Sequence, residues 1–271
     1  MPDPIAPEAS RALESLLAFW SEAGMEVCML DEAQDRTTPR AAPLRPAAVT
    51  PPPPRSAPLP ETPEAGAALL EAQALARAAA DLAALEAAIA GFEGCDLRRQ
   101  GARQAVFSRG SPEAPVMVIG EGPGAEEDAQ GAPFVGRAGK LLDQMLLAAG
   151  LQDRVFITNT VFWRPPGNRT PTALEQAVCA PFLERAIQLV RPKLLLLVGG
   201  ASAKSILKKD EGILSLRGRW FEWRSEDGEL VLPALPTLHP AFLLRQPAAK
   251  KRAWADLLTL TERLDRQSRP A

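Results

Sequence analysis

The chain has 271 residues with 31 Lys plus Arg against 33 Asp plus Glu, and this formal net charge of −2 excludes a wholly polycationic nucleic-acid binder without excluding a local basic face. Hydrophobic residues make up 46% and charged residues 24%, as in ordinary soluble proteins, and no apolar run reaches the ~18 to 20 residues that span a bilayer, so no membrane partner is expected. A single histidine, His239, rules out a multi-histidine metal site. The three cysteines are Cys28, Cys95 and Cys179, and the opening MPDPIAPEAS carries neither a basic nor an apolar signal region. Both features point to a reducing cytoplasm.

Leu13, Leu16, Leu17 and Trp20 recur at helical spacing, which predicts a helical appendage over residues 1–35. Residues 36–64 form a Pro/Ala-rich linker, and 13 of the 27 prolines fall within the first 64 positions, so this stretch packs no core and is expected to be disordered. Its reading is recruitment of a protein partner rather than chemistry. The folded domain is predicted over 65–271. It opens with an Ala-rich helix over 67–90 that Gly91 ends. Strands are then predicted at 116–119, 155–158 and 194–198, alternating with helices at 138–149, 171–190 and 201–208, the second of these started by Thr170 and Pro171. Strand-like runs at 219–223 and 230–235 precede a last helix from 248 to about 263. This alternation predicts an α/β protein, a three-layer α/β/α sandwich around a central, mostly parallel, four-stranded sheet. Nothing in the chain points to an oligomer, so a monomer is expected.

Ligands of open α/β sheets sit beyond the carboxyl ends of the strands, and three segments fall there. Gly120 to Asp128 places three glycines within five residues beside four acids, giving close backbone approach and candidate bases. Its plainer reading is a glycine-rich turn with a solvated edge. It is no phosphate cradle, because the lysine of that motif is missing and the acids would repel phosphate. Asn159 to Thr170 brackets a stiff Pro-Pro-Gly turn with two amides, each offering donor and acceptor to the edge of a base. Thr237 to Arg245 holds the lone histidine immediately before a proline. Such a histidine is more often structural than catalytic, but this one stands where the catalytic groups of such folds lie.

The stretches GEGPGAEEDAQGAPFVGRAGKLL (120–142), NTVFWRPPGNRTPT (159–172) and HPAFLLR (239–245) resemble the three motifs of the uracil-DNA glycosylase superfamily, closest to its family four, over about residues 91–260. The resemblance implies a DNA-repair hydrolase that flips uracil out of DNA and cleaves its N-glycosidic bond, leaving an abasic site as the first step of base excision repair. Phe134 then matches the ring on which uracil stacks. Asn159 matches the amide that pairs with the base edge, and an acceptor-plus-donor pair discriminates against cytosine. Gly122 belongs to the same uracil pocket, at the position where other uracil glycosylases carry an Asp base. His239, neutral or charged, matches the donor near uracil O2 that stabilises the departing anion. Glu121, Glu127 and Asn168 match the positions that orient water and stabilise the cationic sugar, with the chief water-positioning group left open. Leu243, Leu244 and Arg245 match a loop entering the duplex. Arg137, Arg164 and Arg169, with Lys250, Lys251 and Arg252, would supply a basic rim for DNA phosphates.

Family four usually carries four cysteines on an iron-sulfur cluster. In this chain the four positions are Phe92, Cys95, Trp163 and Cys179, and two thiols with two aromatic rings cannot ligate a cubane, so no cofactor is expected. Cys28 could restore one ligand at most. No lysine occupies a motif position, so hydrolysis without lyase chemistry is the reading. The alternatives are a non-catalytic nucleic-acid module of the same fold and a glycosylase for deaminated purines.

Overall fold

The computed structural model describes residues 63–268. The predicted N-terminal appendage, and the linker but for Pro63 and Glu64, lie outside the described residues. Where one long helix was predicted there are two, α1 (Pro63–Ala78) and α2 (Leu82–Gly91). Asp81 makes the break, its carboxylate accepting the Ala84 N–H at 2.8 Å as an N-cap, while the Arg185 guanidinium takes the freed Ala79 carbonyl at 2.8 and 3.0 Å. A short helix α3 (Asp96–Arg99) follows.

The sheet has six strands, not four: β1 (Ser108–Gly110), β2 (Val116–Gly120), β3 (Val155–Asn159), β4 (Leu194–Val198), β5 (Phe221–Arg224) and β6 (Val231–Thr237), in the order β1-β3-β2-β4-β6-β5. The inner four are parallel, as predicted, and β1 and β5 add antiparallel edges. VMVIG, VFITN and LLLLV are buried throughout because helices cover both faces. The period of two sends alternate residues to opposite cores. Met117, Ile119, Phe156, Leu195 and Leu197 pack with residues of α1, α2 and α6 (Ala173–Val190), whereas Val116, Val118, Ile157, Leu194 and Leu196 pack with residues of α5 (Arg137–Ala148) and α10 (Lys250–Ser268). Three layers result. Thr172, not Thr170, starts α6, since its hydroxyl accepts the Glu175 N–H while Glu175 accepts the Thr172 N–H.

Four smaller helices complete the domain: α4 (Ala125–Gln130), α7 (Gly200–Leu207), α8 (Ile213–Leu216) and α9 (Pro240–Arg245). Chain order reverses about β2, which β3 flanks on one side and β4 on the other, so the crevice of a doubly wound sheet must open beyond its carboxyl end. The register sets Gly120 beside Asn159 there. No described helix is long and apolar enough to cross a membrane.

Candidate functional site

A cleft of about 630 Å³ opens at that point, walled by the segments leaving β2, β3 and β6. Three side chains form its floor. Asn159, the last residue of β3, is 1% exposed, and its Oδ1 is buried without a hydrogen-bond partner among the described residues. Phe134 lies beside it, and the Phe134 and His239 rings stand 5.7 Å apart, tilted by 32°. A side chain at Gly120 would overlap both the Phe134 ring and Asn159, so the strand end must be glycine for this floor to close.

His239 caps α9, its Nδ1 accepting the Ala241 N–H at 3.1 Å. An accepting Nδ1 leaves the imidazole hydrogen on Nε2. Burial, reinforced by the Arg245 cation and opposed by Glu127, brings the imidazole pKa down to about 4, so the ring is neutral across the physiological range. Gly199 backs it, with a Cβ there coming within 3.1 Å of the His239 Cβ.

The two glutamates differ. Glu127 accepts the Gly124 N–H and the Gly136 N–H, each at 3.0 Å, one on each carboxylate oxygen, and so ties together the starts of α4 and α5. Glu121 lines the cleft with a carboxylate that has no partner among the described residues, while its backbone carbonyl accepts the Thr160 hydroxyl at 2.6 Å. Gly122 lies next to it, where a Cβ would come within 2.8 Å of Val161 Cγ2. Asn168, held at φ +55°, also lines the cleft and accepts from Arg164 Nε at 2.7 Å.

The model of the uracil DNA glycosylase superfamily matches residues 107–258, which contain every wall of this cleft. The chain belongs to that superfamily. It is similar to the type-4 uracil-DNA glycosylase of Sulfurisphaera tokodaii, 41% identical over 164 residues that cover 58% of this chain and 74% of that protein. It is also similar to the type-4 enzymes of Thermotoga maritima, 39% identical over 54% of this chain and 75% of that one, and of Pyrobaculum aerophilum, 36% identical over 65% and 91%.

Of the glycosylase positions expected from sequence, Glu121, Gly122, Glu127, Phe134, Asn159, Asn168 and His239 all line the cleft, with Arg137 and Arg245 exposed on its rim. In the rest of the DNA-facing set, the loop reading and Leu243 need correction. The segment expected to enter the duplex as a loop is the helix α9, started by Pro240 behind the His239 cap, and its turn directs Leu243 fully into the core with Leu238 and Ala253. Leu244, 39% exposed, is the leucine facing outward. Arg169 lines the cleft but is paired in bidentate fashion with Glu175, at 2.6 and 2.8 Å, and this guanidinium holds the Glu175 carboxyl below the usual range. Arg164 is turned onto Asn168. Lys250, Lys251 and Arg252 are exposed, the two lysines beside an apolar groove that Leu141, Met145 and Trp254 line, outside the cleft. Ala241 and Phe242 also line the cleft; they stand inside the third motif, but nothing in the sequence assigns either a role of its own.

Phe92, Cys95, Trp163 and Cys179 do converge, all buried in one core. The neighbouring Cys95 thiol, together with burial, pushes the Cys179 thiol well up. Phe92 packs edge-on against Phe182 at 5.2 Å between centroids and lies 6.4 Å from Trp163, so aromatic rings occupy the volume. Two thiols and these rings do not fit a four-iron four-sulfur cluster, which takes four thiolate-like donors.

Proposed function

We propose that this chain removes uracil from DNA by hydrolysing its N-glycosidic bond, leaving an abasic site. The observation that carries the reading is the unpartnered Oδ1 of Asn159 on the cleft floor. A buried acceptor without a donor costs roughly 1 to 3 kcal/mol, and uracil supplies the donor in its N3–H while its O4 accepts from the Asn159 amide. Cytosine offers N3 as a second acceptor and leaves Oδ1 orphaned, so discrimination follows from what is buried. Phe134 stacks the flipped base.

As the C1′–N1 bond breaks, its electron pair departs with uracil N1, and the negative charge spreads to O2. The neutral His239 meets that charge with its Nε2–H. Glu121, the carboxylate left free, orients the water whose oxygen bonds C1′ and takes its proton; Glu127 keeps the loop in shape. Among the described residues no lysine lines the cleft, which supports hydrolysis without strand cleavage. Arg137, Arg245 and the exposed Leu244 meet the duplex, with Lys250 and Lys251 further along the backbone. The enzyme works as a monomer on the DNA of the cytoplasm, with no cluster in its chemistry.

The test is alkaline cleavage of end-labelled oligonucleotides carrying one deoxyuridine, thymidine or deoxyinosine. Abasic sites at deoxyuridine alone, lost in Asn159→Ala, are expected. Binding to the deoxyuridine strand without product would replace this reading with a non-catalytic module, and a stronger product at deoxyinosine would move the substrate to deaminated purines.

A further inference from the structure

Arg109 stands on the edge strand β1, outside the three motif segments, and its guanidinium reaches the segment that joins β2 to α5. Its Nε donates to the Pro133 carbonyl at 2.7 Å, and one terminal nitrogen donates both to the Phe134 carbonyl at 3.1 Å and to the Asp143 carboxylate of α5 at 2.6 Å. One rigid fork therefore grips two consecutive carbonyls and is itself anchored to the helix that follows. The backbone it grips is unusual. Phe134 has φ +56°, in the left-handed region that bulky side chains avoid and that persists only where the surroundings over-determine it. The second constraint comes from α5, where Gly139 lies so close that any Cβ on it would overlap the Phe134 carbonyl. With that carbonyl lodged between Gly139 and the Arg109 fork, the peptide cannot turn to a relaxed conformation. The ring is thereby kept on the floor beside Asn159 and His239.

We infer that Arg109 is a positioning residue for base recognition, locking the Pro133 and Phe134 carbonyls so that the Phe134 ring is presented flat to the flipped base. The inference rests on the reading of Phe134 as the ring beneath uracil. Arg109 lines no part of the cleft and takes no part in bond breaking. Lysine cannot replace it in full, because one ammonium lacks the planar fork that spans both carbonyls and the carboxylate. A ring that supports the base equally in the ground and transition states sets KM and leaves kcat nearly alone.

The experiment measures kcat and KM on a deoxyuridine oligonucleotide for Arg109→Gln, Arg109→Lys, Phe134→Ala and the Phe134→Ala/Arg109→Gln double variant. Alongside, it measures the affinity of each for duplexes carrying a non-hydrolysable 2′-fluoro-deoxyuridine or thymidine. Arg109→Gln should raise KM and weaken the uracil duplex ~5- to 10-fold, the size of one aromatic contact, with kcat and thymidine affinity held within about twofold. Arg109→Lys should fall between, and Arg109→Gln should add nothing on the Phe134→Ala background. A fall in kcat at unchanged KM, or a full additive effect in the double variant, overturns the inference by making Arg109 merely structural. An inert Arg109→Gln beside a responsive Phe134→Ala overturns it alone. If Phe134→Ala itself keeps the uracil preference, the stacking reading falls and the inference with it. Should Arg109→Gln not fold, Asp143→Asn withdraws the anchor of the fork from an exposed side chain, and an unchanged uracil preference in that variant overturns the inference.

Discussion

His239 and the two glutamates show how far one side chain's surroundings decide its work. The imidazole is a donor because its other nitrogen is occupied by the Ala241 N–H, and removing that donor in His239→Ala should lower kcat by roughly 10²- to 10³-fold with KM little changed, read by single-turnover kinetics. Its folded-state pKa of about 4 lies below the ordinary 6.5, so between those values the unfolded chain binds the proton more readily. The stability that neutral His239 contributes is therefore complete above about 6.5 and declines as the pH falls toward 4. Denaturation midpoints from pH 4 to 8 should lose this slope in His239→Ala. For the glutamates, Glu121→Gln should depress kcat and leave the melting temperature in place. Glu127→Gln should cost about 1 to 3 kcal/mol in denaturant titration, because one of two N–H groups is left facing an amide N–H. The sequence offers these as two acids six positions apart, and nothing in their spacing separates the free carboxylate from the one that clamps the loop. The orphaned Oδ1 of Asn159 is likewise invisible in a row of letters, since it is defined by what fails to touch it.

Among the elements, β2, β3 and β4 are legible as apolar runs because both faces of a parallel strand are buried, and the glycines, the amide and the histidine of the cleft follow the ends of β2, β3 and β6. The edge strand β1 is not legible. It is Ser-Arg-Gly, three residues without apolar alternation, and its importance lies in contacts 24 to 34 positions away. The break between α1 and α2 hides in alanines that favour helix on either side, and it is made by a distant arginine together with Asp81. Motif three misled for a related reason: helical phase, which decides that Leu243 points in and Leu244 out, depends on where the His239 cap starts α9. The approach of α5 to the Phe134 segment yields a direct expectation. Gly139→Ala should destabilise the protein by about 1 to 3 kcal/mol in chemical denaturation, by overpacking, and should impair uracil excision more than Thr172→Ala, which removes only a helix cap worth ~1 kcal/mol.

For the molecule as a whole, the sheet carries two cores, and the one beneath the motif-two segment includes Phe92, Cys95, Trp163, Cys179 and Phe182. Trp163 is 1% exposed, so Trp163→Ala should cost about 3 to 5 kcal/mol in stability and, through the segment it anchors, disturb the Asn168 wall. Protein refolded from denaturant in the presence of a strong iron chelator should regain full activity, with less than stoichiometric iron before and after; activity that returns only on adding iron and sulfide would refute this. On the proposed reading, a region closed by the chain's own hydrocarbon would need no cellular machinery that assembles and delivers inorganic clusters. Without a cluster it would also hold no iron-sulfur core for superoxide or peroxide to dismantle. Such a repair activity would persist through iron starvation and oxidative stress, when damaged bases accumulate and enzymes that need a cluster to fold are hardest to replace.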